Sequence, residues 1–213
     1  VVRLVGSEMC IRDRYMNKNF AKSINSFLSR LHWRSHFIQK LEDQPSIEHT
    51  SFIPVYDQIR EKDEEKLEAW IEGKTGVHFI DACMIYLRNY GWINFRMRAM
   101  LASFASYNLW LDWRYFAPRL AALFTDFEPG IHYSQIQMQS GTTGINTIRM
   151  YNPYKQAMDQ DPLAKFIKSQ IPEVKNFPPA FFHNPPKKSL NVNLFDNEFQ
   201  KEIINVKETA QYA

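Results

Sequence analysis

The sequence predicts an all-α fold in one domain. Apolar residues recur every three or four positions from residue 17 to residue 173 with little interruption, which is the spacing of helices that bury one face. No segment alternates like a strand over a convincing length. Residues that end and begin helices divide the pattern, with Gly73 and Gly91 at two expected C-termini and Asp112 at an expected N-cap. A sheet of three or more strands is therefore not expected.

The first 14 residues do not share this pattern. Residues 5–14 have neither a helical nor a strand period, and they are similar to translated sequencing-adapter read-through. We interpret residues 1–14 as a non-native segment and exclude them from the fold, with a genuine N-terminal extension as the alternative. No signal peptide is predicted, because no apolar core of sufficient length follows the basic residues.

Composition limits the class of protein. A chain of 213 residues allows one domain with a real core. Cys10 lies in the excluded segment, so Cys83 has no partner for an internal disulfide and a reducing, cytoplasmic location is expected. No apolar run approaches the length of a membrane span. The formal net charge of +3 is too small to predict nucleic-acid binding without a local basic patch.

The first predicted helix, residues 17–43, carries a basic and aromatic face. Arg30, Trp33, Arg34 and Phe37 follow the i, i+3, i+4, i+7 spacing of one helix face. An aromatic ring between arginines suits base stacking and phosphate contact. The alternative is a half-buried helix with solvated basic residues.

Several kinds of site are not predicted. His32 and His36 lie one turn apart, a spacing that could bind a metal, but no third ligand follows at a recognisable distance. The chain has no phosphate-binding P-loop, no G-x-G-x-x-G motif and no nucleophile elbow. A metal centre and a nucleotide loop are therefore not expected.

Four further helices are predicted between residues 61 and 123. Their expected ranges, after a loop at residues 43–54, are 61–71, 79–90, 93–109 and 112–123. Arg96 and Arg98 lie on nearly opposite faces of the third, because each residue turns a helix by ~100°. One can therefore meet a carboxylate such as Asp126 while the other faces a cavity mouth or the surface. The alternative is that both are surface residues.

The rest of the chain is predicted to be less regular. Residues 129–151 are expected to form a long, loop-rich segment, and such segments in compact domains are usually functional. Short helices are expected over residues 154–171, with a break at Asp161-Pro162. An extended tail over residues 177–188 and a short helix over residues 197–212 complete the prediction.

An ordered set of short motifs resembles the FAD-binding half of the photolyase/cryptochrome family. No single motif is specific to this family, but the order and spacing of the motifs within residues 26–207 are specific to it. They are Thr75-Gly76, Asp81-Ala82, Gly91-Trp92, Arg96 with Arg98, Asp112-Trp113-Arg114, Asp126-Phe127-Glu128, and Asn152-Pro153 with Gln156. The resemblance implies a photolyase/cryptochrome-type helical domain with long wrapping loops over residues 15–213. It also implies FAD as the cofactor, damaged DNA with a flipped-out lesion as the partner, and a monomer that does not enter membranes.

The resemblance implies five flavin-binding residues. Asp126 would pair with Arg98 beside the flavin ring, and this ion pair is predicted to be buried. Phe127 and Glu128 would follow in the same turn, with Glu128 near the ribityl and ribose groups. His132 would face flavin N5, where it could donate a proton or stay neutral and only hydrogen-bond; an exposed loop histidine is the alternative.

The resemblance also implies a DNA-binding and substrate-binding set. Its members lie on the first helix and around the expected cavity, and they are Arg30, Trp33, Arg34, Phe37, Phe95, Arg96, Met138 and Gln156. Several of these positions depart from the family pattern: Arg30 stands where repair enzymes usually have Glu, Phe95 replaces Asn, and Met138 replaces Trp. The cavity wall is thus altered on several sides, as is the position after Arg98, where Ala99 replaces Met.

The electron-transfer positions and the N-terminal parts also depart from the family pattern. Of three tryptophans that usually relay electrons to the flavin, only Trp113, the middle one, matches. Ile136 stands at the flavin-proximal position and Arg60 at the surface one. The antenna domain, with any antenna chromophore, and the loop that holds the FAD phosphates would lie upstream of residue 26. We therefore expect residues 15–213 to be part of a larger FAD-binding domain.

Three functions are compatible with these residues. The first is a blue-light-driven DNA photolyase-like enzyme, in which reduced FAD gives an electron to a pyrimidine dimer. The second is a cryptochrome-type blue-light photoreceptor without repair activity, and the third is a helical binding module without a cofactor. Photolyase-like chemistry is favoured, because Trp33, Arg34 and Arg96 keep a DNA-facing cluster.

Overall fold

The computed structural model describes residues 20–145, 148–184 and 202–212, and these residues form helices joined by turns. The helices are α1 (Ala21–Asp43), α2 (Glu64–Glu72), α3 (His78–Tyr90), α4 (Phe95–Ser103), α5 (Trp113–Ala121), α6 (Pro129–Ser140), α7 (Pro153–Gln160), α8 (Lys165–Gln170), α9 (Pro179–His183) and α10 (Val206–Tyr212). Three 3-10 turns lie at Pro45–Glu48, Pro54–Gln58 and Pro172–Val174. Among the described residues, β pairing is limited to an isolated parallel bridge between Glu61 and Leu111. The predicted all-α fold is confirmed.

The residues expected to end and begin helices do so. Gly73 and Gly91 adopt left-handed backbone angles, with φ of 71° and 69°, directly after α2 and α3. Glycine reaches this region without the steric cost that a Cβ atom imposes. Asp112 caps α5, its carboxylate accepting the backbone N–H of Arg114 at 2.9 Å. The predicted helix over residues 93–109 is α4 followed by a buried π-helical turn, Phe104–Asn108.

One predicted loop is wrong. Residues 129–151 were expected to be loop-rich, but Pro129–Ser140 form α6. The Glu128 carboxylate accepts the N–H groups of Gly130 and Ile131 at 3.4 and 2.9 Å, and Pro129 occupies the first turn. Gly141 ends the helix with φ of 71°. Helix signals were therefore present at both ends, and the described residues that follow α6 up to residue 151 are not helical.

The C-terminal predictions are partly outside the described residues. The expected extended tail contains the short helix α9, and its end at residues 185–188 lies outside them. The predicted helix over residues 197–212 is observed from Val206, while residues 197–201 are again not described. The break at Asp161-Pro162 separates α7 from α8, as predicted.

Helix α6 is central to the packing, because it contacts α1, α4 and α5. It approaches α1 closely at Gly130, where an added Cβ would lie 2.6 Å from the carbonyl oxygen of Phe37. The large core side chains Trp70, Phe104 and Phe116 are fully buried among these helices and α2. The first turn of α6 is thus held against the C-terminal third of α1.

The residues of the short motifs that resemble the photolyase/cryptochrome family mostly stabilise loops and helix ends. The buried Asp81 carboxylate accepts the N–H and hydroxyl of Thr75 at 2.8 and 2.6 Å and the N–H of Gly76 at 2.9 Å. Asn152 caps α7 through the N–H of Tyr154 at 3.0 Å. These contacts give the motif residues structural roles that need no ligand.

No described helix is both long enough and apolar enough to cross a bilayer. In the same part of the chain, no group of three or more His, Cys, Asp or Glu side chains could hold a metal ion.

Candidate functional site

A cavity of about 330 Å³ lies between the start of α4, the end of α5 and one face of α6. Apolar side chains such as Phe124 and Ile136 form much of its wall. Its polar groups include Arg98, Asp126 and His132. A concave, mostly apolar space with a few polar groups is typical of a small-molecule site.

Arg98 joins three parts of the cavity wall. Its Nε donates to the carbonyl oxygen of Ile93 at 2.7 Å, and its Nη2 donates to both carboxylate oxygens of Asp126 at 3.0 and 2.9 Å. The guanidinium carbon lies 4.2 Å from the ring centroid of Phe124. A guanidinium can serve several partners at once because its donors are fixed in one plane.

The predicted Arg98–Asp126 ion pair is present. It was expected to be buried, but it is partly exposed. The two side chains keep 26% and 47% of their surface exposed. Arg98 lies in the first turn of α4 and Asp126 lies in the turn before α6. Both residues are therefore near helix N-termini that solvent reaches. Solvent screens such a pair, and its contribution to folding is about 0–1 kcal/mol. The larger loss of folding free energy that follows from breaking a buried ion pair does not apply to this one.

His132 lies one turn into α6 and lines the cavity. Its Nε2 is 2.9 Å from the carbonyl oxygen of Ala117. A carbonyl oxygen only accepts, so Nε2 carries the hydrogen and Nδ1 is left as an acceptor in the neutral ring. Burial lowers the pKa of His132 to about 4. The His132 ring is therefore neutral near pH 7, and its role toward a flavin stays a prediction.

The lowered pKa predicts that acid weakens the fold through His132. Its pKa falls from 6.5 to about 4 on folding, so the unfolded chain takes up the proton first as the pH falls. The free energy of unfolding should therefore decrease between pH 6.5 and pH 4. His132→Gln should flatten this decrease, measured by urea denaturation at several pH values. Other titrating groups, including half-buried His78, are shared by both proteins and cancel in the comparison.

His49→Gln is the matched control, because the His49 side chain is 82% exposed. It should keep the pH dependence of the parent protein. Equal slopes for the parent and His132→Gln would contradict the assigned burial effect.

The basic and aromatic residues of α1 are divided between surface and core. Trp33 is 54% exposed, whereas Phe37 is 8% exposed. The two rings stack with centroids 5.8 Å apart and planes at 29°. Phe37 therefore packs beneath Trp33 inside the fold, and its substrate role stays a prediction. Arg30 is exposed and Arg34 half-buried on the same helix.

The other predicted substrate residues are spread around the cavity. Phe95 lines it and is 63% exposed. Arg96 is exposed and Met138 half-buried, and neither belongs to the cavity lining. Gln156 lies on α7, also outside the lining. The structure thus brings only Phe95 of these four to the cavity wall.

The predicted electron-transfer positions are separated by the fold. Ile136 lines the cavity, while Trp113 is 2% exposed and does not line it. The indole N–H of Trp113 donates to the Ser51 hydroxyl at 2.8 Å. Arg60 is half-buried, its guanidinium carbon 5.0 Å from the Tyr107 ring and 5.2 Å from the Trp110 ring.

The structural roles of two residues, Gln137 and Glu128, were not predicted from the sequence. Buried Gln137 donates to the carbonyl oxygens of Ile47 and Thr50 at 2.8 and 3.1 Å, and accepts the N–H of Phe52 at 2.8 Å. It thereby ties the loop after α1 to α6, and no local sequence signal announced this. Glu128 was assigned to the ligand alone, although an acid directly before Pro129 is a helix-start signal.

Comparison with known proteins agrees with the motifs. A family model described as the FAD binding domain of DNA photolyase matches residues 27–213. The deoxyribodipyrimidine photo-lyase of Escherichia coli (strain K12) is 32% identical over 167 residues, covering 76% of this chain and 35% of that protein. Cryptochrome-2 of Gallus gallus is 26% identical, covering 87% of this chain and 33% of that protein.

A solved structure shows the same architecture. The archaeal photolyase from Sulfolobus tokodaii with two FAD molecules superimposes with a TM-score of 0.78 at 31% identity, covering 95% of this chain and 45% of that one. The chain thus spans less than half the length of these relatives. FAD, predicted as the cofactor from the motifs, is confirmed. The chain belongs to the FAD-binding domain of the photolyase/cryptochrome family.

Proposed function

We propose that this chain is the flavin-binding part of a light-driven DNA photolyase that splits pyrimidine dimers. The observation that carries the proposal is a mostly apolar cavity with a guanidinium and a neutral imidazole in its wall, beside a helix with an exposed tryptophan. The two features are linked rigidly, because Gly130 at the start of α6 packs on Phe37, one turn after Trp33. A damaged base stacked on Trp33 would therefore enter on the side where α6 begins.

The cavity residues fit the ring system of FAD. Flat, mostly apolar rings suit walls such as Phe124 and Ile136, and the polar ring edge suits Arg98 and His132. When bound, FAD would supply the redox chemistry that protein side chains lack. We propose Arg98, Asp126, Phe127, Glu128 and His132 as the residues that hold it.

Four of these residues have distinct tasks. With FAD bound, Arg98 would supply a positive charge from the cavity wall that favours a reduced, electron-rich ring, and Asp126 orients the guanidinium. His132, anchored through Nε2, offers Nδ1 as an acceptor and stays neutral near pH 7. Glu128 fixes the start of α6 through its capping bonds, so its effect on the cofactor includes placing His132.

The proposed DNA-binding face combines Trp33, Arg30, Arg34 and Arg96. Trp33 supplies a stacking surface for an unpaired base, and the arginines supply phosphate contacts. Opening the duplex to expose a lesion is easiest where base pairing is already damaged. This favours a dimer over an intact base as the substrate.

Arg34→Glu should weaken DNA binding and reduce its dependence on salt. Loss of one phosphate contact lowers the slope of log K against log salt by about 1. Fluorescence anisotropy with a dimer-containing oligonucleotide at several salt concentrations measures both effects. Lys175→Glu, an exposed charge change on another part of the molecule, is the matched control. If Arg34→Glu bound DNA like its parent at every salt concentration, this face would not contact DNA.

The function is tested with the protein expressed from its complete gene. FAD-loaded protein is reduced chemically without air, mixed with an oligonucleotide carrying one thymine dimer, and split into illuminated and dark samples. We expect dimers to disappear in blue light only. Persistence of dimers under light, with reduced FAD bound, would reject the photolyase proposal.

The second candidate is a blue-light photoreceptor without repair. It is favoured by departures from the family pattern at the cavity mouth, where exposed Phe95 replaces Asn and Arg30 stands at a position that repair enzymes usually fill with Glu. The same assay separates the two, because a photoreceptor would bind FAD and respond to light without removing dimers.

A further inference from the structure

We propose that a second cavity, separate from the flavin cavity, binds a small organic cation that carries an alkylated ammonium group. This cavity of about 340 Å³ lies between α3, the start of α4 and the turn that joins α7 to α8. Trp92 and Ile93 line both cavities, so the two spaces are neighbours. The proposal does not depend on the photolyase function.

Aromatic rings form much of the wall of the second cavity. They belong to Phe79 and Tyr86 on α3, Phe166 on α8 and Trp92 in the turn before α4. The Phe166 ring lies 6.2 Å from the Phe79 ring at 79° and 5.6 Å from the Tyr86 ring at 62°, measured between centroids. Rings that differ this much in orientation border a space from different directions. Such an arrangement suits a quaternary ammonium group, because the negative faces of aromatic rings attract cations.

Asp161 gives this cavity a negative charge. Among the described residues that line it, Asp161 is the only one with an acidic or basic side chain. The residue is 7% exposed, and its Oδ2 accepts the backbone N–H of Ile167 at 3.0 Å. Its Oδ1 accepts no hydrogen bond from the described part of the chain, which also offers it no ion-pair partner. A buried carboxylate is costly without a cation, so a positively charged ligand would supply the missing partner.

The turn that carries Asp161 is held in place by backbone contacts. The Asp161 N–H donates to the carbonyl oxygen of Ala157 at 2.8 Å, and the Asp161 carbonyl oxygen accepts the N–H of Ala164 at 2.8 Å. Nε2 of His183 lies 3.2 Å from the same carbonyl oxygen. The carboxylate is therefore positioned before a ligand arrives, which lowers the entropic cost of binding.

The remaining lining favours an organic cation over a metal ion. Ile93 and Met97 are buried and apolar, so they suit alkyl groups. Side-chain carbonyl and carboxylate oxygens of the lining belong to Asp161, Gln160 and Asn94. The Asn94 oxygen already accepts the N–H of Met97 at 3.1 Å. Hard metal ions prefer more oxygen ligands than this wall offers.

The test is calorimetric titration of the FAD-loaded protein from the complete gene with choline. The comparison ligand is the uncharged analogue of choline in which carbon replaces nitrogen. We expect choline to bind, and the analogue to bind about tenfold more weakly, because it keeps the shape and loses the attraction to Asp161 and the rings. A peptide with trimethylated lysine, titrated in parallel, distinguishes a free cation from the same group on a protein.

Two variants test the two parts of the wall. Asp161→Asn keeps an oxygen for the Ile167 N–H and removes the charge, and Phe166→Leu removes one ring. Each should weaken choline binding about tenfold, while Asp161→Asn should leave binding of the uncharged analogue unchanged. Asp159→Asn is the matched control, because Asp159 is an exposed carboxylate on α7 outside the lining. Urea denaturation and FAD content show that each variant is folded.

Met97 reports where choline binds. It lines the second cavity and does not belong to the lining of the first. With isotope-labelled methionine methyl groups, the nuclear magnetic resonance signal that disappears in Met97→Leu should shift when choline is added to the parent protein.

Several results would overturn the proposal. They are equal affinity for choline and its uncharged analogue, parental choline affinity in both Asp161→Asn and Phe166→Leu, and an unmoved Met97 signal. Release of FAD by choline would place choline in the flavin cavity and would also overturn it, as would no binding at concentrations on the order of ten millimolar. The dimer assay judges the photolyase function separately.

Discussion

Arg98→Lys is expected to lower the affinity for FAD on the order of a hundredfold, about 2.7 kcal/mol. The side chain serves the Ile93 carbonyl, the Asp126 carboxylate and the Phe124 ring at the same time. An ammonium group is a point charge without the planar fork, so it cannot reproduce these contacts and face a flavin edge together. The fold should lose only about 1 kcal/mol, because the ion pair is half-exposed.

Arg96→Lys is the matched control for this change. Arg96 precedes Arg98 by two residues, is exposed, and does not line the cavity. Titration of FAD into the apoprotein, followed by flavin absorbance, compares the two variants. Parental FAD affinity in Arg98→Lys would mean that Arg98 does not face the cofactor.

Gly130→Ala is expected to destabilise the protein by about 1–3 kcal/mol. The added Cβ would lie 2.6 Å from the carbonyl oxygen of Phe37 and 3.0 Å from the Cα of Ile38. These are backbone atoms of a long helix, so relief requires moving α1 away from α6. The same movement would shift Trp33 relative to the cavity and weaken binding of dimer-containing DNA.

Urea denaturation measures this loss, with Ser134→Ala as the control one turn along α6. The buried Ser134 hydroxyl has no hydrogen-bond partner among the described residues, so its removal should be close to neutral. A Gly130→Ala variant as stable as its parent would show that α1 and α6 separate easily.

Much of the helical framework was predictable because single residues set its ends. Gly73, Gly91 and Asp112 act through local backbone geometry, which sequence shows directly. Periodicity located the apolar faces for the same reason. The cavity residues were predictable only through the motif resemblance, since they meet from separate helices.

Other features depend on packing that local sequence does not encode. Helix α6 was taken for a loop, although Glu128-Pro129 and Gly141 bound it, because its residues show little helical alternation of apolar and polar side chains. The burial of Arg98 depends on where α4 begins relative to the turn that contains Asp126, and local sequence does not encode that position. Gln137 joins a loop 85 residues away in the chain.

The most direct measurement is a crystal structure of the FAD-bound protein expressed from its complete gene. We expect the flavin ring in the cavity between α4, α5 and α6, with the Arg98 guanidinium at its edge and Nδ1 of His132 facing the ring. A flavin ring bound elsewhere, with Arg98 and Asp126 facing only solvent, would contradict this expectation.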